Sequence, residues 1–329
     1  MTLRIIDQPI VRELLTMPVC IGLMEQAMQA TAKGETLQPP RWIIGLPGDQ
    51  GRGFGLMPGA MNAPASFGAK LTAVYPENGA KGLQSHRGII ALFEAEGGAP
   101  VAIVHGGEVT AIRTAAASAL ATRLLARPDA DDLAILGYGE QALQHLRAMA
   151  AVRKLRRVRV WGRSAERAAH FAREGREAVD CEIEIAPTVE AAVAGASVIC
   201  TVTGAAEPIL AGRMISPGAH INVVGSSVAA AREIDVDAVE KARFFVDYKP
   251  STLLQGGEFL AAKREGRVGD DHILAEIGEI LTGSKTGRRT DDEITIYKSL
   301  GIPAEDLVCA HYLYTAAAER GLGASVAFS

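Results

Sequence analysis

Two sets of residues in this 329-residue chain have types and spacing suited to chemistry. The first lies in LAILGYGEQALQHLRAM, where Gly137, Tyr138, Gly139, Glu140, Gln141 and Ala142 form a G-x-G-x-x-A run between an apolar strand and a helix. Its first glycine permits a tight turn, its second lets the backbone approach a ligand, and Ala142 is small enough for helix and strand to pack. In that setting the pattern reads as a cradle for a dinucleotide pyrophosphate rather than a plain turn. The next strand, Val158 to Trp161, ends in Gly162, Arg163 and Ser164, with no carboxylate to hold a ribose 2′-hydroxyl. Arg163 can pair with a 2′-phosphate and Ser164 can donate a hydrogen bond to it, so NADP(H) is preferred and NAD(H) remains possible.

The second set is cationic. Arg41 opens RWIIGLP, Lys70 interrupts FGAKLTAV, and Arg113 sits in VTAIRTAAAS. A lone cation starting a strand is usually a solvated edge. Lys70, however, breaks a run that should be half buried, and Arg113 lies among close-packing small residues, where a guanidinium needs an anion. Three cations converging from different elements would suit a carboxylate. The seven histidines form no H-x-x-x-H or H-E-x-x-H pair, so no metal site is expected. His86 alone has a functional case, as proton donor or cofactor contact, set against a plain edge histidine. The cysteines, Cys20, Cys181, Cys200 and Cys309, are scattered and read as reduced thiols. Arg153-Lys154-Leu155-Arg156-Arg157 follows a helix end and reads as a solvated cap.

These side chains need elements to hold them. The length suits two domains, and 34 Lys plus Arg against 38 Asp plus Glu, a net charge of −4, leaves no basic excess for nucleic acid. The charged N-terminus lacks a signal-peptide core, and no uncharged apolar stretch is long enough for a membrane span, so a cytoplasmic location is expected. Helical spacing runs from Met17 to Lys33. Short runs at Arg41 to Leu46, Phe54 to Met57, Phe67 to Val74, Gly88 to Phe93 and Pro100 to Val104 predict a largely antiparallel sheet. Thr110 to Arg127 is an Ala-rich helix former. Beyond Pro128, strand–helix alternation predicts βαβ units: strands at Leu133, Val158, Ile183, Ser197, His220 and Phe244, with helices at Glu140 to Val152 and Ala165 to Arg176. Ala304 to Arg320 is a further helix that could dock back on the first domain.

The blocks KLTAVYPEN, SHRGIIALFE, TAIRTAAASALAT, ILGYGEQA, VWGRS, TVTGAAEPIL, PGAHINVVGSS, REIDVDAV and IYKSLGIPAEDL run in order through the chain. Their constellation resembles the ornithine cyclodeaminase/mu-crystallin family, and more closely its mu-crystallin, or ketimine reductase, branch. The resemblance implies an α/β fold in which a Rossmann-type domain, residues 118–304, is inserted in an α+β substrate and dimerisation domain, residues 1–117 and 305–329. It implies that Arg41, Lys70 and Arg113, with Met57, form the substrate side. Ser85, His86, Arg113, Thr114, the loop from Gly137 to Gln141, Gly162, Arg163 and Ser164 fall on the cofactor side. So do Thr201, Val202, Thr203, Val224, Gly225, Lys298, Ser299 and the following Gly301. A homodimer is implied as well.

One departure bears on the reaction. Where the cyclodeaminase branch tends to carry an aspartate, VVGSSV places Ser227, which cannot be the carboxylate base that deamination needs. The expected activity is therefore NAD(P)H-dependent reduction of a small cyclic 2-imino acid to its amino acid, with Lys70, Arg113, His86 and Ser227 as catalytic candidates. Lys70, His86 and a water on Ser227 stand as proton sources. The alternatives are an NAD-dependent ornithine cyclodeaminase and a non-catalytic, crystallin-like ligand-binding protein.

Overall fold

The structure, a computed structural model, describes residues 2–48 and 51–328, with only the backbone at positions 79 and 80. The chain begins with β1 (Thr2–Ile6), α1 (Gln8–Leu14), α2 (Met17–Ala32), β2 (Thr36–Leu37) and β3 (Trp42–Gly45). It continues through β4 (Gly53–Asn62), β5 (Ala65–Val74), β6 (His86–Glu94), β7 (Pro100–His105) and α3 (Gly106–Leu125). Next come β8 (Asp132–Leu136), α4 (Glu140–Val152), β9 (Arg157–Trp161), α5 (Ala165–Gly175), β10 (Ile183–Ile185), α6 (Val189–Val193) and β11 (Val198–Thr201). Then follow β12 (His220–Val223), α7 (Val236–Lys241), β13 (Arg243–Val246), α8 (Lys249–Gln255), α9 (Gly257–Arg264), β14 (Ile273–Glu276), α10 (Ile277–Leu281) and β15 (Thr295–Lys298). The chain closes with α11 (Pro303–Glu319) and β16 (Ala324–Ala327). Two compact units result: Met1–Arg113 with Gly301–Ser329, and Thr114–Leu300. The breaks fall one helical turn before those expected from sequence, the first of them inside α3.

The first unit carries an eight-stranded sheet ordered β16-β1-β7-β6-β5-β4-β2, with β3 pairing β4. It is antiparallel except where β1 runs parallel to β7. The β4–β5 pair keeps register over ten residues, setting Met57 opposite Lys70, and β6 sets Ile90 on Lys70's other side. Side chains alternate faces along a strand, so Lys70 shares the buried face with Met57 and Ile90 while Ile89 points out. Within this unit α11 covers that face against β4, β5 and β6 and packs on α2. Sequence reasoning missed β1, five residues interrupted by Arg4, a strand completed by pairing with β7 and β16. It also started α3 four residues late: the Glu108 N–H donates to His105 Nδ1 at 3.1 Å, a cap that the glycine pair Gly106-Gly107 conceals.

The second unit has a wholly parallel sheet ordered β10-β9-β8-β11-β12-β15-β13-β14. Every residue of β8 is buried, as a strand covered by helices on both faces must be. Its neighbours run in opposite order on its two sides, which makes the end of β8 and β11 a topological switch point where α/β sheets bind ligands. Two strands, β14 and β15, escaped the sequence reading. Each is only four residues long, and β15 ends in a buried Lys298 that breaks the apolar pattern. Among the described residues no helix is long and apolar enough to cross a membrane, and no group of His, Cys, Asp or Glu is arranged to hold a metal ion.

Candidate active site

In the first unit, the sheet and α11 bring the expected cations together. Lys70 and Arg113 are each only 4% exposed. Lys70 Nζ lies 2.7 Å from Asp306 Oδ2, while Arg113 Nε donates to Asp306 Oδ1 at 3.1 Å and Nη1 to Glu305 Oε2 at 3.1 Å. Asp306 thus bridges both cations from the first turn of α11. The buried Arg113 guanidinium has the anions that its burial requires, and the protein itself supplies two of them. Arg41 Nη2 donates to Gly301 O at 3.1 Å, and its charge reaches both Lys70 and His86. Among these five charged side chains there are three positive and two negative, an excess of one.

The electrostatics separate the proton-donor candidates. Burial, and then repulsion from Arg113, lower Lys70 to about 8 against the opposing pull of Asp306. Burial opposes ionisation of Asp306, yet Lys70 and Arg113 outweigh it and hold the carboxyl below its ordinary value. His86 keeps solvent contact by surface area, but the protein wall around its ring strips hydration. Lys70, Arg113 and Arg41 then repel an added proton, so His86 sits well below its ordinary pKa. It is neutral near pH 7, with Nδ1 at 3.0 Å from Ser85 Oγ, which counts against it as the acid.

In the second unit, Gly137 has φ +127°, and a Cβ there would meet Val202 O at 2.7 Å, so the turn after β8 takes glycine alone. A Cβ on Gly139 would meet nothing within 4 Å, which leaves open space before α4. The N-terminus of α4 has no side-chain cap, as a helix start that receives a phosphate would not, and Gln141 Oε1 is buried without a hydrogen-bond partner. These features fit a dinucleotide. Arg163 is exposed beyond β9, and Ser164 Oγ accepts the Arg167 N–H at 3.3 Å as the cap of α5, leaving its own proton to donate.

Tyr138, the second residue of the glycine turn, packs against the end of β9. Its ring fills the space beside Gly162, where a Cβ would come within 2.1 Å of two ring carbons, and Arg167 stacks over it at 4.8 Å. Gly162→Ala is therefore expected to destabilise the protein by about 1–3 kcal/mol through overpacking. Adding Tyr138→Ala should return most of that loss in a thermal-melt double-mutant cycle; additive losses would contradict the contact.

Other expected cofactor-side residues sit apart in character. Val202 and Val224 are buried, Gly225 is exposed, and Ser227 is half-buried in the loop after β12. Thr114 and Ser299 are buried, and the Ser299 N–H donates to Val223 O at 3.0 Å. Lys298 is corrected from a ligand-facing role: fully buried, its Nζ lies 2.9 Å from Glu258 Oε2 and donates to Ser226 O at 2.5 Å. Sequence reasoning missed Asp306, Glu305, Glu233 and Glu258, all buried carboxylates. The first two show in sequence only as an adjacent acid pair in the first turn of the helix expected from Ala304.

A parallel sheet with a glycine turn at its switch point defines a Rossmann-type dinucleotide-binding protein, here joined to a second unit with a buried cation cluster. The chain belongs to the ornithine cyclodeaminase/mu-crystallin family, whose model matches residues 4–321. It is 37% identical over 295 residues to the ketimine reductase mu-crystallin of Mus musculus, covering 88% of this chain and 90% of that one. It is 34% identical over 318 residues to a Delta(1)-pyrroline-2-carboxylate reductase of Bacillus cereus, covering 96% and 97%. The structure of Thermococcus litoralis Delta(1)-pyrroline-2-carboxylate reductase in complex with NADH and L-proline matches with a TM-score of 0.95 and 33% identity, over 98% of this chain and all of that one.

Proposed function

We propose that the protein is an NAD(P)H-dependent reductase of a small cyclic 2-imino acid, of the pyrroline-2-carboxylate or piperideine-2-carboxylate type, giving the cyclic amino acid. The observation that carries this reading is the buried Lys70 ammonium, set between Asp306 and Arg113 and tuned to about 8. When bound, the reduced dinucleotide supplies the hydride. Arg41, Lys70 and Arg113 hold the substrate carboxylate, which the excess positive charge of their cluster accommodates, and Met57 borders Lys70 on the same sheet face. Fixing the carboxylate orients the C=N bond, so the protein's share of the rate comes from alignment. Lys70 gives the proton to the imine nitrogen, because it carries one at pH 7 and can release it near pH 8. Neutral His86, held by Ser85, serves as a cofactor contact rather than as the acid.

Ser227 leaves the cyclodeaminase reading without its carboxylate base, and the nearby Glu233 has both oxygens occupied by hydrogen bonds. The dinucleotide is held by the loop from Gly137 to Gln141, with Arg163 and Ser164 favouring the 2′-phosphate of NADPH. Arg163→Ala is expected to cut the preference for NADPH over NADH about tenfold, the size of one charge-assisted contact. The direct test of function is loss of reduced-cofactor absorbance with a panel of cyclic and linear 2-imino acids. Oxidation with the cyclic acids supports the reading; none with any imine, alongside ammonia release from ornithine, overturns it. A homodimer is proposed too, since Trp42 is 70% exposed, with Leu37, Ile43 and Ile44 exposed near it on β2 and β3.

A further inference from the structure

Glu233, in REIDVDAV, is completely buried beside the two strand ends that carry residues expected on the cofactor side, Thr201 to Thr203 and Val224 with Gly225. Its Oε1 accepts from the Thr203 N–H at 2.6 Å and the Thr203 hydroxyl at 2.8 Å. Its Oε2 accepts from the Thr201 hydroxyl at 2.8 Å and the Gly225 N–H at 2.6 Å. A carboxylate offers about four lone-pair sites, and here all four are used. Thr201 ends β11 and Gly225 follows β12, so one side chain ties two adjacent strand ends together. The approach depends on glycine, because a Cβ on Gly225 would lie 2.1 Å from Thr203 O and 2.6 Å from Glu233 Oε1.

The carboxylate is itself anchored. The Glu233 N–H donates to Glu258 Oε1 at 3.1 Å, Glu258 Oε2 lies 2.9 Å from Lys298 Nζ, and Lys298 returns to Ser226 O, next to Gly225. The ring of contacts therefore closes on the loop where it began. Burial raises the Glu233 pKa, opposed by these hydrogen bonds and by Lys298. A side chain that only filled space could be apolar at lower cost.

We propose that Glu233 is a positioning residue for the cofactor: it fastens the loops after β11 and β12 to each other and so fixes the surface these loops present to NAD(P)(H). This rests on the reading of the protein as an NAD(P)H-dependent reductase. The test measures NADH and NADPH binding by fluorescence, with melting temperature and steady-state kinetics, for wild type, Glu233→Gln, Thr201→Val and Thr201→Ser. Glu233→Gln turns amide N–H groups toward N–H and O–H donors. It is expected to raise both cofactor dissociation constants about tenfold, with the KM for the imine unchanged. Thr201→Val should give a smaller rise and Thr201→Ser should restore wild-type binding, which decides the matter even if Glu233→Gln fails to fold. Variants that melt earlier but bind cofactor as wild type does would overturn the positioning role. A wild-type protein that binds neither dinucleotide would overturn the reductase reading itself, and the Glu233 role with it.

Discussion

Lys70→Met is expected to lower turnover of a cyclic 2-imino acid about 10²–10⁴-fold, the usual range for a lost general acid. Met keeps much of the stem volume on the face shared with Met57 and Ile90, and Asp306 keeps Arg113 as its partner, so the fold should survive. Lys70→Arg separates the two roles given to this side chain. A guanidinium can still pair with a carboxylate but does not release a proton near neutral pH. Its substrate KM should therefore change little while kcat falls as in Lys70→Met. The wild-type rate should decline as pH rises through about 8, where Lys70 loses its proton. The stability linkage has the opposite sign. Lys70 has its pKa lowered from 10.5 to about 8 in the fold, so the unfolded chain binds more protons between those values. Over that window this group makes the protein more stable as pH rises.

Asp306→Ala should have the largest effect on stability, because it leaves Lys70 and Arg113 buried side by side, with Glu305 paired to Arg113. Removing one partner of a buried pair costs about 3–5 kcal/mol, a melting-point fall on the order of ten degrees. The protein can relieve part of this by dropping the Lys70 proton. That relief has its own signature. In Asp306→Asn, which preserves shape, the alkaline limb of the pH–rate profile should move below about 8, because Asp306 is what supports the charged ammonium. A lower melting point with the alkaline limb unmoved would make Asp306 structural alone.

The legible parts of this molecule were local ones. The turn at Gly137 and Gly139 announces itself within six residues, because strand, glycines and helix are contiguous and each glycine has a steric reason. Lys70 and Arg113 stood out because a charge interrupting an apolar pattern must be either solvated or paired, and both are buried as expected. Their partners were hidden by distance. Asp306 lies 193 positions from Arg113 and reads in sequence as an ordinary first-turn acid, favoured there by the helix dipole alone. Glu233 was hidden differently. In REIDVDAV it looks like one more charge in a polar loop, and only the sheet order, which sets β11 beside β12, shows it facing four donors. Tyr138 could not be placed at all, since its ring direction depends on Gly162 and Arg167, some 24 and 29 residues on.

The central claim is that hydride goes to the C=N carbon of a cyclic 2-imino acid. The most direct measurement uses reduced cofactor carrying deuterium at the transferable position, with pyrroline-2-carboxylate as substrate and mass analysis of the product. The expected result is proline one mass unit heavier, with the label at Cα and one cofactor oxidised per proline formed. No loss of reduced cofactor with pyrroline-2-carboxylate, or proline formed without deuterium at Cα, would contradict the account.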